Sequence, residues 1–281
     1  PQLFGGGSAA NTAAALARLD VPCRFAGSVG DDSFGRFAVD SLIEAGVDTA
    51  AVTVSPGEPT VAVVAVVQPD GDRLIYVWPP SGGAHGALQS SDVVDAVTES
   101  DWLHVSGICL RVQPARDAVL TAMQRARAEG IPVSFDLNLR LENWGWEAGF
   151  REVAEQAVEY ADVVLGAASD EVGALARIAN PVDAAEALAG DARLVVARLG
   201  ASGAVACSAN DVAVVPGFEV TVVDTVGAGD AFNAGFIASR IRGDDVADAL
   251  RWGNAVAGLT VSGAGARSTP TRREAQAFLD R

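Results

Sequence analysis

From about Asp101 onward, short runs of Val, Ile and Leu alternate with segments whose apolar residues recur at helical spacing. The apolar runs at 102–105, 131–136, 162–165 and 194–199 predict buried strands. Segments 114–129, 147–160, 169–178 and 182–188 predict helices. Pro114 stands in the first turn of one such helix and Gly130 just past its end, a common arrangement of helix ends. Strands alternating with helices at this spacing imply βαβ units and a parallel sheet covered on both faces, an α/β fold. Two further helical stretches, 244–261 and 271–279, close the chain.

One segment breaks the rhythm. Residues 60–67 and 73–78 are β-branched runs joined by a turn-rich linker, Gln68-Pro-Asp-Gly-Asp72, and predict a β-hairpin. Such an insertion is either a lid, a small second sheet, or an edge hairpin of the main sheet. No internal repeat or low-complexity linker divides the rest, so one domain over 1–281 is expected, with this appendage at about 58–80.

Composition narrows the function. Apolar residues make up 49% of the 281, enough for a sizeable core, and this excludes disorder as a general description. The net charge of −16 opposes binding to nucleic acid or anionic lipid, and any anionic ligand must be held by local donors against that field. All 20 basic residues are arginine. Lysine-dependent chemistry is therefore excluded, including the P-loop lysine and Schiff-base catalysis. His85, His104, Cys23, Cys109 and Cys207 show no metal-binding or thiol-redox spacing. The cysteines read as reduced core residues, and neither a signal peptide nor an apolar span of membrane length is present, so a cytoplasmic protein is expected.

The sharpest chemical signal is Val222-Val-Asp-Thr-Val-Gly-Ala-Gly-Asp-Ala-Phe-Asn-Ala-Gly-Phe236. An apolar strand at 220–223 is predicted to run into Gly227-Ala228-Gly229, with a helix beginning near Asp230. Phe232 with Phe236, and Ile237 with Ile241, give that helix a core-facing stripe, and Gly243 stops it. Glycines allow successive backbone N–H groups to point into one space, where the helix N-terminus adds positive potential. That is an anion hole needing no side-chain cation. Asp230 in the first turn is placed to accept a proton from a hydroxyl attacking a phosphoryl group held there.

In its full context this motif resembles the C-terminal signature of the ribokinase-like (PfkB) carbohydrate kinases. Gly5-Gly-Gly-Ser-Ala-Ala-Asn-Thr-Ala-Ala-Ala-Leu-Ala-Arg-Leu19, Gly27-Ser-Val-Gly-Asp-Asp-Ser-Phe-Gly35, Phe135-Asp-Leu-Asn-Leu-Arg140 and Arg198-Leu-Gly-Ala-Ser-Gly-Ala204 resemble further segments of that family in order. The resemblance implies a three-layer α/β/α fold with a mostly parallel central sheet and a small β lid. It implies ATP-dependent phosphorylation of a sugar or nucleoside alcohol, with Mg²⁺ bridging the ATP phosphates. On the same basis Asp230 is the general base and Gly227, Ala228 and Gly229 form the anion hole. Gly6, Gly7 and Asn11 would bind sugar hydroxyls; Arg198, Gly200 and Gly203 would lie at the nucleotide, and Asn254 would line the adenine pocket. A homodimer formed through the lids is a further implication.

Each position also has a plainer interpretation. Residues 8–19 form a close-packing alanine-rich helix with Asn11 in its cap region, Asp136 and Arg140 a solvated local pair, and His85 and His104 packing residues.

The sequence departs from the family in several places. The opening strand, which carries an acceptor-binding Asp, does not precede Gly5, and the expectation is that the true start is missing. The family's Asn-x-x-Glu segment, which organises Mg²⁺, falls near 165–171 without its Asn; Glu171 matches better than Asp170 because Leu175 follows it at helical spacing. Val226 replaces a Thr common at the K⁺ site of some relatives, leaving Asp224 as its candidate ligand. His85 stands where ribokinases usually carry Asn. Arg198 and the 136–140 run with Trp144 look more like fructokinases and 2-keto-3-deoxygluconate kinases. The acceptor therefore stays open among ribose-, fructose- and 2-keto-3-deoxygluconate-like sugars and adenosine-type nucleosides. A non-catalytic sugar- or nucleotide-binding regulator on the same fold is a second class; a dinucleotide oxidoreductase is remote, because no G-x-G-x-x-G opens a helix after a strand.

Overall fold

The structure is a computed structural model that describes residues 3–67, 73–79, 82–147, 149–191 and 193–281. The chain begins with α1 (Ser8–Arg18), β1 (Gly27–Gly30), α2 (Ser33–Glu44) and β2 (Val52–Ser55), followed by the hairpin strands β3 (Ala62–Val67) and β4 (Arg73–Trp78). Strands and helices then alternate through α3 (Ser90–Thr98), β5 (Leu103–Ser106), α4 (Ala115–Ala128), β6 (Val133–Asp136), the short α5 (Leu141–Trp144), α6 (Phe150–Tyr160) and β7 (Val163–Ala167). They continue through α7 (Ala174–Ala176), α8 (Pro181–Ala189), β8 (Leu194–Arg198), β9 (Ala204–Cys207) and β10 (Val212–Val215). Three helices finish the chain: α9 (Ala228–Ile241), α10 (Val246–Val261) and α11 (Arg272–Leu279).

Among the described residues the main sheet has six strands in the order β10-β9-β8-β7-β6-β5. β5 to β8 are parallel, as their helical crossovers require, while β9 and β10 return antiparallel through short turns. One face of the sheet packs on α3, α4, α6 and α8 around Phe135, Val164 and Met123. The other packs on α1, α9, α10 and α11 around Leu165, Val196, Phe236 and Leu250. The three layers follow from the two-sided apolar strands. β1 and β2 form a separate parallel pair, and β3 and β4 a two-stranded antiparallel sheet, so the hairpin is not an edge of the main sheet. Its connecting turn, 68–72, lies outside the described residues.

Helix ends follow local chemistry. Asp245 caps α10 by accepting the Asp248 N–H at 2.9 Å, and Asn180 with Pro181 opens α8. Thr271 and Glu274 close a reciprocal capping box on α11. The predicted helix at 169–178 instead forms a π-helical turn over Ala168–Gly173 followed by α7. The strand expected at 220–223 does not form: Val222 and Val223 are exposed, and the Val223 N–H donates to the Val261 carbonyl at the end of α10. Four β-branched residues in succession carry a strand signal, but among the described residues no neighbouring strand lies beside this segment. Of the α9 stripe, Phe232, Phe236 and Ile237 are buried, while Ile241 in the last turn is exposed. No described helix is long and apolar enough to cross a membrane.

α9 and α10 approach closely through two glycines. A Cβ on Gly235 would lie 2.8 Å from the Trp252 carbonyl oxygen and 3.0 Å from the Gly253 Cα, and one on Gly253 would lie 2.8 Å from the Phe232 ring. Gly235→Val is therefore expected to destabilise the protein by about 1–3 kcal/mol through overpacking, read as a lower urea midpoint with unchanged m-value.

Candidate active site

Four parallel strands end at the same edge of the sheet, at Ser106, Asp136, Ala167 and Arg198. In open α/β sheets this edge is where ligands are held. Here it meets the start of α9. Gly227 precedes that helix with φ 81°, and a Cβ there would lie 2.7 Å from the Ala266 carbonyl oxygen, so the turn requires glycine on both counts. The first i→i−4 bond of α9 runs from the Ala231 N–H to the Gly227 carbonyl at 2.9 Å. The N–H groups of Gly229 and Asp230 precede it, at the positive end of the helix. Ala228, assigned to the same hole from sequence, points its N–H back to the Thr225 carbonyl at 3.3 Å.

Asp230 projects from this turn onto α1. Its Oδ1 accepts the Ser8 hydroxyl at 2.7 Å and its Oδ2 accepts the Asn11 Nδ2 at 2.9 Å. Asn11 is buried, and its Oδ1 accepts the Arg267 Nε at 3.2 Å, which fixes the amide so that its nitrogen faces Asp230. Arg267 also donates to the Ser41 hydroxyl at 2.7 Å and to the Gly6 carbonyl at 3.2 Å. Burial raises the Asp230 pKa to about 6; the Ser8 and Asn11 hydrogen bonds pull it down, and Asp136 adds to the rise. The carboxyl is thus ionised at neutral pH yet basic enough to take a proton.

A second buried cluster lies directly behind the turn. Arg198, at the end of β8, donates to Asp136 Oδ1 at 2.8 Å, Glu171 Oε2 at 3.4 Å, Asn233 Oδ1 at 2.6 Å and the Gly229 carbonyl at 3.4 Å. Its side chain is 14% exposed, those of Asp136 and Glu171 4% and 11%. Burial works against the Arg198 charge, but the two carboxylates outweigh it and hold its pKa above the usual value. Burial, followed by the Asp136 charge, raises the Glu171 pKa. Glu171 accepts the Leu139 N–H at 2.9 Å and the Ala167 N–H at 2.6 Å. Both of its oxygens are therefore engaged with backbone, which suits an indirect role toward a hydrated cation better than direct ligation.

The residues expected from sequence at the nucleotide, Gly200, Gly203 and Asn254, gather beside β10. Gly200 and Gly203 have φ 61° and 102° in the turn between β8 and β9, and Gly203 lies against the Val215 carbonyl. The Asn254 amide donates to the carbonyls of Val215 and Pro216 at 3.3 and 3.1 Å. Gly6 and Gly7 lead into α1, with open space where a Gly6 side chain would stand. Asp224 accepts the N–H groups of Val226 and Gly265, both at 3.1 Å, and so ties the turn to the segment bearing Ala266 and Arg267. No described group of three or more His, Cys, Asp or Glu is arranged to hold a metal ion.

One further expectation needs correction. Asp136 is not a solvated partner of Arg140: it is buried on β6 and pairs with Arg198, whereas Arg140 lies 3.9 Å from Glu142. β6 alternates Val133 and Phe135 on one face with Ser134 and Asp136 on the other, and those polar residues in a buried strand were the available signal. Ser8, Asn233 and Arg267 are the other site residues not identified from sequence; Asn233 lies one helical turn beyond Asp230. His104 is a half-buried packing residue, its Nδ1 2.8 Å from the Ser134 hydroxyl and its pKa lowered to about 4 by desolvation.

Comparison with known proteins identifies the family and the fold. Residues 1–272 match the pfkB family carbohydrate kinase model, and the chain belongs to that family. A fructokinase of Vibrio alginolyticus is 33% identical over 98% of this chain and 91% of its own length. An ATP-dependent ribose-1-phosphate kinase of Halopiger xanaduensis is 36% identical over 98% of this chain and 86% of its own. Among solved structures, the Vibrio cholerae fructokinase with fructose, ADP and calcium bound superposes with TM-score 0.84 at 33% identity, covering 98% of this chain and 91% of that one. An Escherichia coli protein in complex with ATP and Mg²⁺ gives TM-score 0.89 at 29% identity, covering 100% and 92%.

Arg198→Met leaves two buried carboxylates without their cation, an expected loss of about 3–5 kcal/mol at pH 8. With the cation gone, Glu171, whose pKa burial already raises, would hold its proton more tightly in the folded chain than in the unfolded one, so the variant's deficit is smaller at low pH and grows as pH rises. Urea titrations at pH 5.5 and 8 should show a smaller deficit at the lower pH.

Proposed function

We propose that this pfkB-family carbohydrate kinase transfers the γ-phosphoryl group of ATP to a hydroxyl of a small sugar-like acceptor, with Asp230 as general base. The observation that carries this is the Asp230 carboxylate: oriented through both oxygens by α1, raised to a pKa of about 6, and set at the glycine turn that opens α9. The acceptor hydroxyl gives its proton to Asp230 as its oxygen forms the new bond to γ-phosphorus, and the bond to the ADP oxygen breaks. Negative charge on the transferring group is met by the N–H groups of Gly229 and Asp230 and by the positive end of α9. Arg198 keeps the turn in place from behind through the Gly229 carbonyl.

Gly6, Gly7 and Asn11 lie where the acceptor's remaining hydroxyls would be held, and the turn from Gly200 to Gly203 with Asn254 forms the nucleotide side. Glu171 would hold Mg²⁺ indirectly, through the ion's water shell, and the ion would supply charge neutralisation to the transferring group. The β3–β4 hairpin leaves Val63, Val64, Tyr76, Val77 and Trp78 exposed and is the candidate lid, whose closure would exclude water from the transfer. The relatives named for fructose and ribose 1-phosphate support a pentose- or hexose-sized acceptor.

Asp230→Asn should lower kcat by about 10²–10⁴-fold while leaving the ATP dissociation constant, measured by calorimetry, nearly unchanged. Because the base must be ionised, kcat/KM of the native enzyme should fall as pH drops through about 6. Turnover preserved in the variant would remove Asp230 from the mechanism. Gly229→Val sets a branched side chain against Arg198, whose guanidinium carbon lies 3.4 Å from a Cβ there, and should displace the turn from behind, seen as reduced ADP formation.

A further inference from the structure

The two arginines of the site differ in what neutralises them. Arg198 is held by two carboxylates. Arg267 donates only to neutral oxygens, those of Asn11, Ser41 and Gly6. Among the described residues no carboxylate forms an ion pair with it; Asp230 acts on it from beyond the Asn11 amide. Burial lowers its pKa from the usual arginine value, so this cation has lost water without gaining an anion. A guanidinium has five N–H groups, and these three bonds leave one on each terminal nitrogen.

Its position gives the imbalance a use. The guanidinium packs against Gly5 and holds the Gly6 carbonyl, within the glycine run that leads into α1. A single amide, that of Asn11, separates it from the carboxylate of Asp230. A carbohydrate whose reacting hydroxyl meets Asp230 therefore has its own substituents within a small molecule's reach of Arg267. The chain as a whole carries −16 and repels an anionic acceptor, so such an acceptor needs local donors to offset that field, and Arg267 offers charged ones.

We propose that Arg267 is a specificity residue of the acceptor site, and that the acceptor is an anionic carbohydrate whose carboxylate or phosphate group the guanidinium receives. The inference rests on the phosphotransfer proposed above. A planar fork with two free donors suits either anion, and such charge-assisted bonds are among the stronger polar contacts.

The test is ADP formation by the full chain with matched acceptors: ribose against ribose 1-phosphate and ribose 5-phosphate, and fructose against 2-keto-3-deoxygluconate. The native enzyme is expected to favour an anionic member at least tenfold in kcat/KM, and the responding arm identifies phosphate or carboxylate. Arg267→Met should reduce that preference at least tenfold, mainly through KM, and Arg267→Lys should restore part of it. Equal losses on neutral and anionic acceptors would make Arg267 a strut for the glycine run and overturn the proposal. So would a native enzyme that prefers the neutral sugars, a result independent of whether either variant folds. If no acceptor supports ADP formation that Asp230→Asn abolishes, the phosphotransfer reading fails instead. Calorimetric titration of native protein with the same pairs then still decides whether the site selects anions.

Discussion

A half-buried carboxylate at the start of a helix is the constraint around which this molecule is organised. On the function proposed above, Asp230 needs low polarity nearby to serve as a base, yet the adjoining N–H groups must stay open for a phosphate. Both conditions hold only if the turn before α9 is fixed by groups that do not themselves occupy the anion site. α1 supplies Ser8 and Asn11 to the carboxylate from one side. Arg198 takes the Gly229 carbonyl from behind, and the Ala266 backbone closes on Gly227 from above a residue that can have no side chain. The tight α9–α10 contact through Gly235 and Gly253 then keeps the helix from shifting along its axis.

Much of this was legible along the chain because it is local. Helix ends depend on residues a few positions apart, and the alternation of apolar strands with helices fixes a covered parallel sheet before any contact is known. The glycine turn and Asp230 were legible for the same reason. What could not be read is what depends on distant pairing. The 220–223 run looks like a strand, but strand formation needs a neighbour, and its backbone instead meets the end of α10. Asp136 was read with Arg140, four residues away, whereas the fold pairs it with Arg198 across two strands. Arg267 belongs to a segment without periodicity, and its partners Asn11, Ser41 and Gly6 lie more than 200 positions away.

The absence of lysine bears on how these charges are managed. A lysine at position 198 would offer one point charge with three donors on a flexible stem. The guanidinium instead spans Asp136, Glu171, Asn233 and the Gly229 carbonyl at once, joining the carboxyl ends of β6 and β8 to the π-helical turn and to α9. With one cation facing two buried carboxylates, the cluster is short of positive charge, and Glu171 responds with a raised pKa. After burial and the hydrogen bonds from α1, the Asp136 charge raises the Asp230 pKa and the Arg198 charge lowers it, so the cluster acts on Asp230 with both signs as well as supporting its turn.

Arg267 presents the opposite imbalance. It is a cation facing neutral oxygens, on the far side of Asn11 from the base. Arg198, with its charge satisfied, can only hold the turn, whereas Arg267 has both charge and donors left for a ligand. Asn11 links it to Asp230 with a fixed polarity, its oxygen toward the cation and its amide nitrogen toward the carboxylate. An anion drawn to Arg267 would thus be drawn to the acceptor side of Asp230, and the same hydrogen-bonded chain that orients the base would place the molecule it deprotonates.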